Sequence, residues 1–257
     1  MNTISHCCEL GHAGDDRYQQ RGQFKTIGNL EVYETRPLDG DITRILLLLP
    51  DGFGLAKHNV ILADMFAERG WLVVIPDYFQ GDPLPVSLLQ RPPGTLLEDV
   101  INMKAWLGRH SAQVIHELLV SFFENIHTSL PGIQTSDNAS ISVVGYCFGG
   151  KYALQLSSWV GVRTAAAFHP SFVEESDLSP GDNGSAAPII VGLAQNDTMV
   201  PRTLSADLNQ WASSHKRVLN QRTFCNVGHG FAARPNTKNE VERVQFQDAF
   251  HYANDFL

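Results

Sequence analysis

No stretch of about 18 apolar residues occurs in this 257-residue chain, so no hydrophobic membrane-spanning helix is expected. Positive charge is in deficit. Nineteen Lys and Arg stand against 27 Asp and Glu, a net charge of −8, which disfavours nucleic acid and anionic membranes as partners. Cysteine is scarce: Cys7, Cys8, Cys147 and Cys225 form no disulfide framework. Met1 to Gln20 lacks the apolar core of a secretory signal. Together these features point to a reducing, cytoplasmic setting. No C-x-x-C, H-E-x-x-H or clustered Cys/His set is present, and no metal is expected. Metal binding by Cys7 and Cys8 would need two further ligands, for which His6 and His12 could be proposed. A reduced pair in an N-terminal arm is the simpler reading. There is no internal repeat, low-complexity tract or long linker.

What is present is a core. Hydrophobic residues make up 43% of the chain and charged residues 18%, so a packed domain is expected rather than disorder. A chain this long can form one domain, with about 70–75% of its unfolded surface buried. Residues 1–23 read as an arm, and 24–257 as that domain. Phe24 to Thr35 suits a hairpin turning near Gly28-Asn29. Ile45 to Leu49 and Trp71 to Pro76 are unbroken apolar runs, as in strands buried on both faces. Ile141 to Val144, Thr164 to Phe168, Pro188 to Leu193 and Lys216 to Phe224 extend the set. Helices are expected over about Asn59 to Arg69, closed by Gly70, and over Gly150 to Trp159. Leu96, Val100, Met103 and Leu107 share one helical face, as do Ile115, Leu119, Phe122 and Ile126. Residues 80–95 read as loop. Pro201 is expected to open a helix reaching about Ser214, and Phe246, Phe250, Ala253 and Leu257 mark a last one. Strands alternating with helices predict an α/β fold with a mostly parallel central sheet and helices on both faces.

The chemistry starts at Gly145-Tyr146-Cys147-Phe148-Gly149, which lies between a predicted strand and a predicted helix. This is the context of a nucleophile elbow, with cysteine as the nucleophile. The helix N-terminus favours the thiolate, which is the reactive form. As a small buried side chain, Cys147 could instead be packing. Asp197 follows an apolar strand, and His229 lies in Val227-Gly228-His229-Gly230-Phe231. Nucleophile, acid and histidine in this order match the α/β-hydrolases. His229 can take the thiol proton and Asp197 can orient its ring. Asp197 as a turn acid and His229 as a solvated loop residue are the blander alternatives. The Phe148 amide and one from the turn after Leu49, for which Gly52 is chosen, would form the oxyanion hole. Cys225 reads as a small core residue.

Two other motifs compete and fail. Gly52 to Lys57 resembles a dinucleotide fingerprint but lacks its third glycine. Gly145 to Lys151 matches a phosphate loop, but Tyr152 stands where Ser or Thr would hold magnesium. No cofactor is expected.

With these residues in view, the chain resembles the dienelactone hydrolase (carboxymethylenebutenolidase) family of α/β-hydrolases over about residues 25–257. The resemblance rests on Gly145-Tyr146-Cys147-Phe148-Gly149-Gly150, Pro76-Asp77-Tyr78, Asn196-Asp197 and Gly228-His229-Gly230-Phe231. Cys7-Cys8 and Phe168-His169-Pro170-Ser171 are similar to its eukaryotic, especially fungal, branch. It implies cofactor-free, cysteine-dependent hydrolysis of lactones and esters. Family members often carry glutamate at the position of Asp51, so Asp51 either tunes Cys147 or only shapes the oxyanion turn. The family binds a substrate carboxylate through arginines; Arg234 either does so here or is a solvated loop residue. Tyr78, Phe79, His169 and Phe231 are candidates to line the pocket, with packing as their alternative role.

The expectation is therefore a thiol hydrolase of a small lactone or activated ester, acting through an acyl-thioester. The rival readings are acyl transfer or cyclisation at the same site, and a non-catalytic small-molecule receptor. The oligomeric state is left open, a homodimer included.

Overall fold

Apolar runs without a polar break need cover on both sides, and in this molecule they find it in the middle of one sheet. The computed structural model describes residues 18–38, 42, 44–90, 100–130, 141–178 and 186–257. Cys7, Cys8, Leu96 and residues 1–17 of the expected arm lie outside them.

The strands are β1 (Gln23–Ile27), β2 (Leu30–Thr35), β3 (Ile45–Leu49), β4 (Leu72–Pro76), β5 (Ile141–Tyr146), β6 (Val162–Phe168), β7 (Ile189–Ala194) and β8 (Leu219–Phe224). The α-helices are α1 (Lys57–Ala67), α2 (Met103–Arg109), α3 (Ala112–Ser129), α4 (Phe148–Leu156), α5 (Leu204–Ser214) and α6 (Glu240–Phe256). The strands order as β1-β2-β4-β3-β5-β6-β7-β8 in one eight-stranded sheet. The hairpin β1–β2 and the β2–β4 pair are antiparallel, and the other pairs are parallel.

Side chains alternate across a strand, so each central strand feeds two cores. Ile45, Leu47 and Leu49 of β3 face one core with Trp106 of α2, Ile115 and Phe122 of α3, Tyr152 of α4 and Leu208 of α5. Leu46 and Leu48 face the other, with Ile61 and Phe66 of α1 and Phe246 and Phe250 of α6. The four buried positions Ile115, Leu119, Phe122 and Ile126 put α3 on the sheet as its periodicity predicted. The described end of the arm is pinned to α1: Tyr18 Oη donates to Asp64 at 2.9 Å, as does the Arg21 amide at 3.0 Å.

Several boundaries differ from expectation, each for a local reason. Asn102 caps α2 by accepting from the Ala105 amide, so the helix begins at Met103 and Val100 lies in an exposed turn before it. Pro201 sits one turn ahead of α5, its carbonyl taking the Leu204 amide, and the helix starts at Leu204. Lys216 has a positive φ of 54°, which delays β8 to Leu219. Cys225 is exposed rather than core: β8 is an edge strand with mostly unburied residues, and burial ends at Phe224.

Candidate active site

Strand β5 stops at Tyr146 and α4 starts at Phe148, so Cys147 alone makes the corner. It has φ 52° and ψ −113°, a conformation that costs a non-glycine residue about 1–3 kcal/mol. The corner is tight enough to require glycine on both sides. A Cβ on Gly145 would lie 2.2 Å from the Gly149 carbonyl oxygen, and one on Gly149 would lie 2.1 Å from that of Leu49. The Gly149 amide donates to the Pro50 carbonyl at 3.1 Å, and the Cys147 amide to the Phe168 carbonyl at 3.0 Å. The thiol is thus fixed between the turn after β3 and the loop after β6, with its residue 8% exposed.

Asp197 and His229 meet at the carboxyl ends of β7 and β8. His229 Nδ1 contacts Asp197 Oδ2 at 2.8 Å. The other oxygen, Oδ1, accepts from the Met199 and Val200 amides at 2.9 and 3.2 Å, which fixes the carboxylate. The acid and histidine loops are also tied directly, the Asn196 amide donating to the Val227 carbonyl at 2.9 Å.

Beside both thiol and imidazole, which also bond each other directly, stands Ser171. Its Oγ is 3.5 Å from Cys147 Sγ and 3.5 Å from His229 Nε2. Nothing in the elbow, acid or histidine motifs announces this serine. Its one trace in the sequence is its place in Phe168-His169-Pro170-Ser171, directly after a buried strand.

The electrostatics couple the two partners. Burial works against a thiolate at Cys147, but His229 and Arg234 outweigh it and lower the thiol below its ordinary value. Burial likewise opposes the imidazolium, yet the Cys147 thiolate and Asp197 raise His229 to about 9. Each partner thus favours the charged form of the other.

The oxyanion candidates flank this sulfur. Phe148 is the first residue of α4, and Gly52 belongs to the turn that Gly149 holds through Pro50. Among the described residues, neither amide is committed to an internal acceptor.

Among the described residues, no hydrogen bond joins Asp51 to Cys147. Its buried carboxylate accepts from the Phe53 amide (3.1 Å), Asn59 Nδ2 (2.9 Å) and Arg234 Nη1 (3.2 Å), and lies 3.0 Å from His58 Nε2. Burial opposes its ionisation, but His58, Arg234 and Asn59 hold it well below the usual carboxylate range. These contacts match the turn-shaping role. Towards Cys147, Asp51 acts only as a nearby negative charge that raises the thiol. Arg234 is not a solvated loop residue, because it is paired with Asp51 and stacks on Phe53 at 5.3 Å. His58 and Asn59 belong to this cluster and were not legible in the motifs.

The remaining pocket candidates are buried. Tyr78 and Phe79 pack against Phe148, and Tyr78 Oη donates to the Pro50 carbonyl at 2.5 Å. Tyr78 therefore ties the turn after β3 to the first residue of α4, and Phe79 packs on that same residue. His169 is fully buried, with its ring 4.8 Å from that of His229 and 5.7 Å from that of Phe231. Burial holds its pKa well below the ordinary histidine value. Lys151, the lysine of the rejected phosphate-loop match, is occupied by Asp177 at 3.0 Å. A cleft of about 730 Å³ has Asp197, Arg202 and Leu204 in its walls but neither Cys147 nor His229, so it lies off the line of chemistry.

The model of the dienelactone hydrolase family matches residues 31–257, which span every strand from β3 to β8 and all the residues above. The chain belongs to the dienelactone hydrolase family. Relatives of this family member include hydrolase pyvD of Aspergillus violaceofuscus, 28% identical over 96% of this chain and 92% of that protein. Dienlactone hydrolase 1 of Gibberella moniliformis is 27% identical over 92% of this chain and 86% of its own. Among solved structures, a putative dienelactone hydrolase from Klebsiella pneumoniae superposes with a TM-score of 0.66 at 16% identity, covering 93% of this chain and 98% of that one. This likeness shows the α/β-hydrolase fold. This dienelactone hydrolase family member is accordingly a hydrolytic enzyme.

Proposed function

We propose that the protein hydrolyses a small lactone or activated ester through a Cys147 acyl-thioester. The observation that carries this reading is the strained elbow, which presents Cys147 to the His229–Asp197 pair. The thiolate attacks the carbonyl carbon, and the Phe148 and Gly52 amides take up the charge growing on oxygen. His229 gives its proton to the leaving alkoxide and then activates the water that hydrolyses the thioester. Asp197 holds the ring and balances its charge throughout. The substrate is read as a neutral carbonyl compound, because Arg234, a cation acting on the thiol, is already paired with Asp51. A reducing cytoplasm would keep the sulfur available for this chemistry.

The test is a panel of lactones and chromogenic esters run on wild type and Cys147→Ala in labelled water. The expected result is turnover with one solvent oxygen in the acid product, an adduct on Cys147 trapped in acid quench, and no turnover by the variant. Product without solvent oxygen would indicate acyl transfer or cyclisation instead. Ligand binding without turnover by wild type would indicate a receptor.

A further inference from the structure

The serine beside the thiol and the imidazole belongs to neither the elbow nor the acid–histidine pair. We propose that Ser171 is a catalytic residue, its hydroxyl a hydrogen-bond donor that holds the Cys147 thiolate beside the His229 imidazolium. The inference rests on the reading of Cys147 as the nucleophile.

The first support is position. Ser171 Oγ lies 3.5 Å from each reacting atom and is buried with its residue. One distance suits a thiol–hydroxyl contact. The other is long, as catalytic contacts often are before substrate tightens the site.

The second support is how firmly the position is set. The Ser171 amide donates to the Cys147 carbonyl at 3.0 Å, while the Cys147 amide donates to Phe168 at the end of β6, where the loop begins. The His169 amide anchors the loop to Gly192 of β7 at 2.7 Å. Two left-handed residues bracket the serine, His169 at φ 38° and Phe172 at φ 59°. Strain of this kind persists where surrounding structure over-determines a segment, and it concentrates at functional sites. Gly150 of α4 leaves room for the loop, since a Cβ there would come within 2.9 Å of Pro170.

The third support is the ring beneath. His169 presents two buried nitrogens without a hydrogen-bond partner among the described residues, against the His229 ring. Held neutral by burial, it places no competing charge beside the thiol and imidazole. The titratable groups facing the serine are then Cys147 on the elbow, His229 after β8 and His169 on its own loop. Asp51 and Arg234 act on the same thiol through charge.

The step balances. The thiol proton passes to His229 Nε2 across their direct contact, leaving thiolate and imidazolium, and Ser171 keeps its own proton. In that state the serine hydroxyl donates to sulfur and accepts from the imidazolium. Hydrolysis of the thioester releases the same thiolate beside the same imidazolium. No further reactant is needed.

The experiment is alkylation of Cys147 by iodoacetamide across pH 5–10, with kcat/KM for an activated ester measured alongside. Wild type should show a thiolate inflection below the ordinary thiol value of about 8.5. Ser171→Ala should move that inflection up towards 8.5. It should also lower both rates about tenfold or more at neutral pH, with recovery in alkali. Ser171→Thr, which keeps the hydroxyl, should retain the wild-type inflection. Should Ser171→Ala fail to fold by circular dichroism, the isosteric pair Ser171→Thr and Ser171→Val decides. A difference in inflection supports the hydrogen bond to the thiolate, and identical curves overturn it. A lower rate at every pH with an unmoved inflection overturns it too, since that marks loosened packing alone. Cys147→Ala separates the two levels. If it keeps full turnover, the nucleophile reading fails; if it is inactive while Ser171→Ala titrates as wild type, only the role of Ser171 fails.

Discussion

The sulfur and the imidazole cannot be titrated separately. The Cys147 thiolate helps raise His229 to about 9, so Cys147→Ala should bring the His229 pKa down, followed by NMR of the labelled ring. The same shift has a stability consequence. A histidine whose folded pKa lies above its unfolded value of about 6.5 stabilises fully below 6.5 and loses that contribution as pH rises through about 9. Chemical denaturation of wild type and His229→Gln should therefore differ most in mild acid and converge in alkali. Asp51 has the opposite sign: its folded pKa is depressed, so its contribution is present above about 4 and lost as pH falls. Asp51→Ala leaves His58, Asn59 and Arg234 facing an empty buried site and should cost about 3–5 kcal/mol in urea unfolding. Asp51→Asn should lower the thiol inflection, because it removes a negative charge that acts on Cys147 without a hydrogen bond to it. At this scale the sequence spoke clearly for Cys147, Asp197 and His229, whose neighbours are glycines and strand ends. It was silent on Ser171 and His58, whose roles depend on which loops the sheet brings together.

The elbow is where element geometry is least forgiving. Gly149→Ala would drive a Cβ into the Leu49 carbonyl, and backbone on both sides leaves nothing cheap to move. We expect a loss of several kcal/mol or failure to fold, read from the denaturation midpoint and soluble yield, with any folded remainder poorly active. The expected elements came through well where period or burial was decisive, as in β3 and α3, whose patterns admit one packing. They came through less well at termini. Asn102 moved the start of α2, and the left-handed Lys216 shortened β8, because cap and turn conformations depend on single backbone angles that periodicity does not register. Cys225 was misplaced for a related reason: a residue after an apolar position reads as core, but an edge strand has one side open.

Across the whole molecule, two cores share one sheet, and damage to either lowers the stability of the whole. Phe250 of α6 packs on Phe66 of α1 with ring centroids 4.7 Å apart, far in sequence from Cys147. Phe250→Ala should cost about 3–5 kcal/mol and lower the midpoint of a single cooperative transition. Activity per folded molecule at low temperature should stay near wild type. The fold class was legible because buried strands alternated with amphipathic helices. The crossing order of the sheet was not, since β4 lies between β2 and β3 and only tertiary pairing reveals it.

That order has a further effect. Cys147, Ser171, Asp197 and His229 follow β5, β6, β7 and β8, four strands lying side by side in one parallel array. Neighbouring strands sit about 4.8 Å apart, so the lattice of backbone hydrogen bonds acts as a ruler for the groups above it. Crossover segments on either face could then lengthen, shorten or change partners while the row of functional groups keeps its spacing. The chemistry is dimensioned by the ladder beneath it, and diversity can accumulate in the connections without disturbing the alignment.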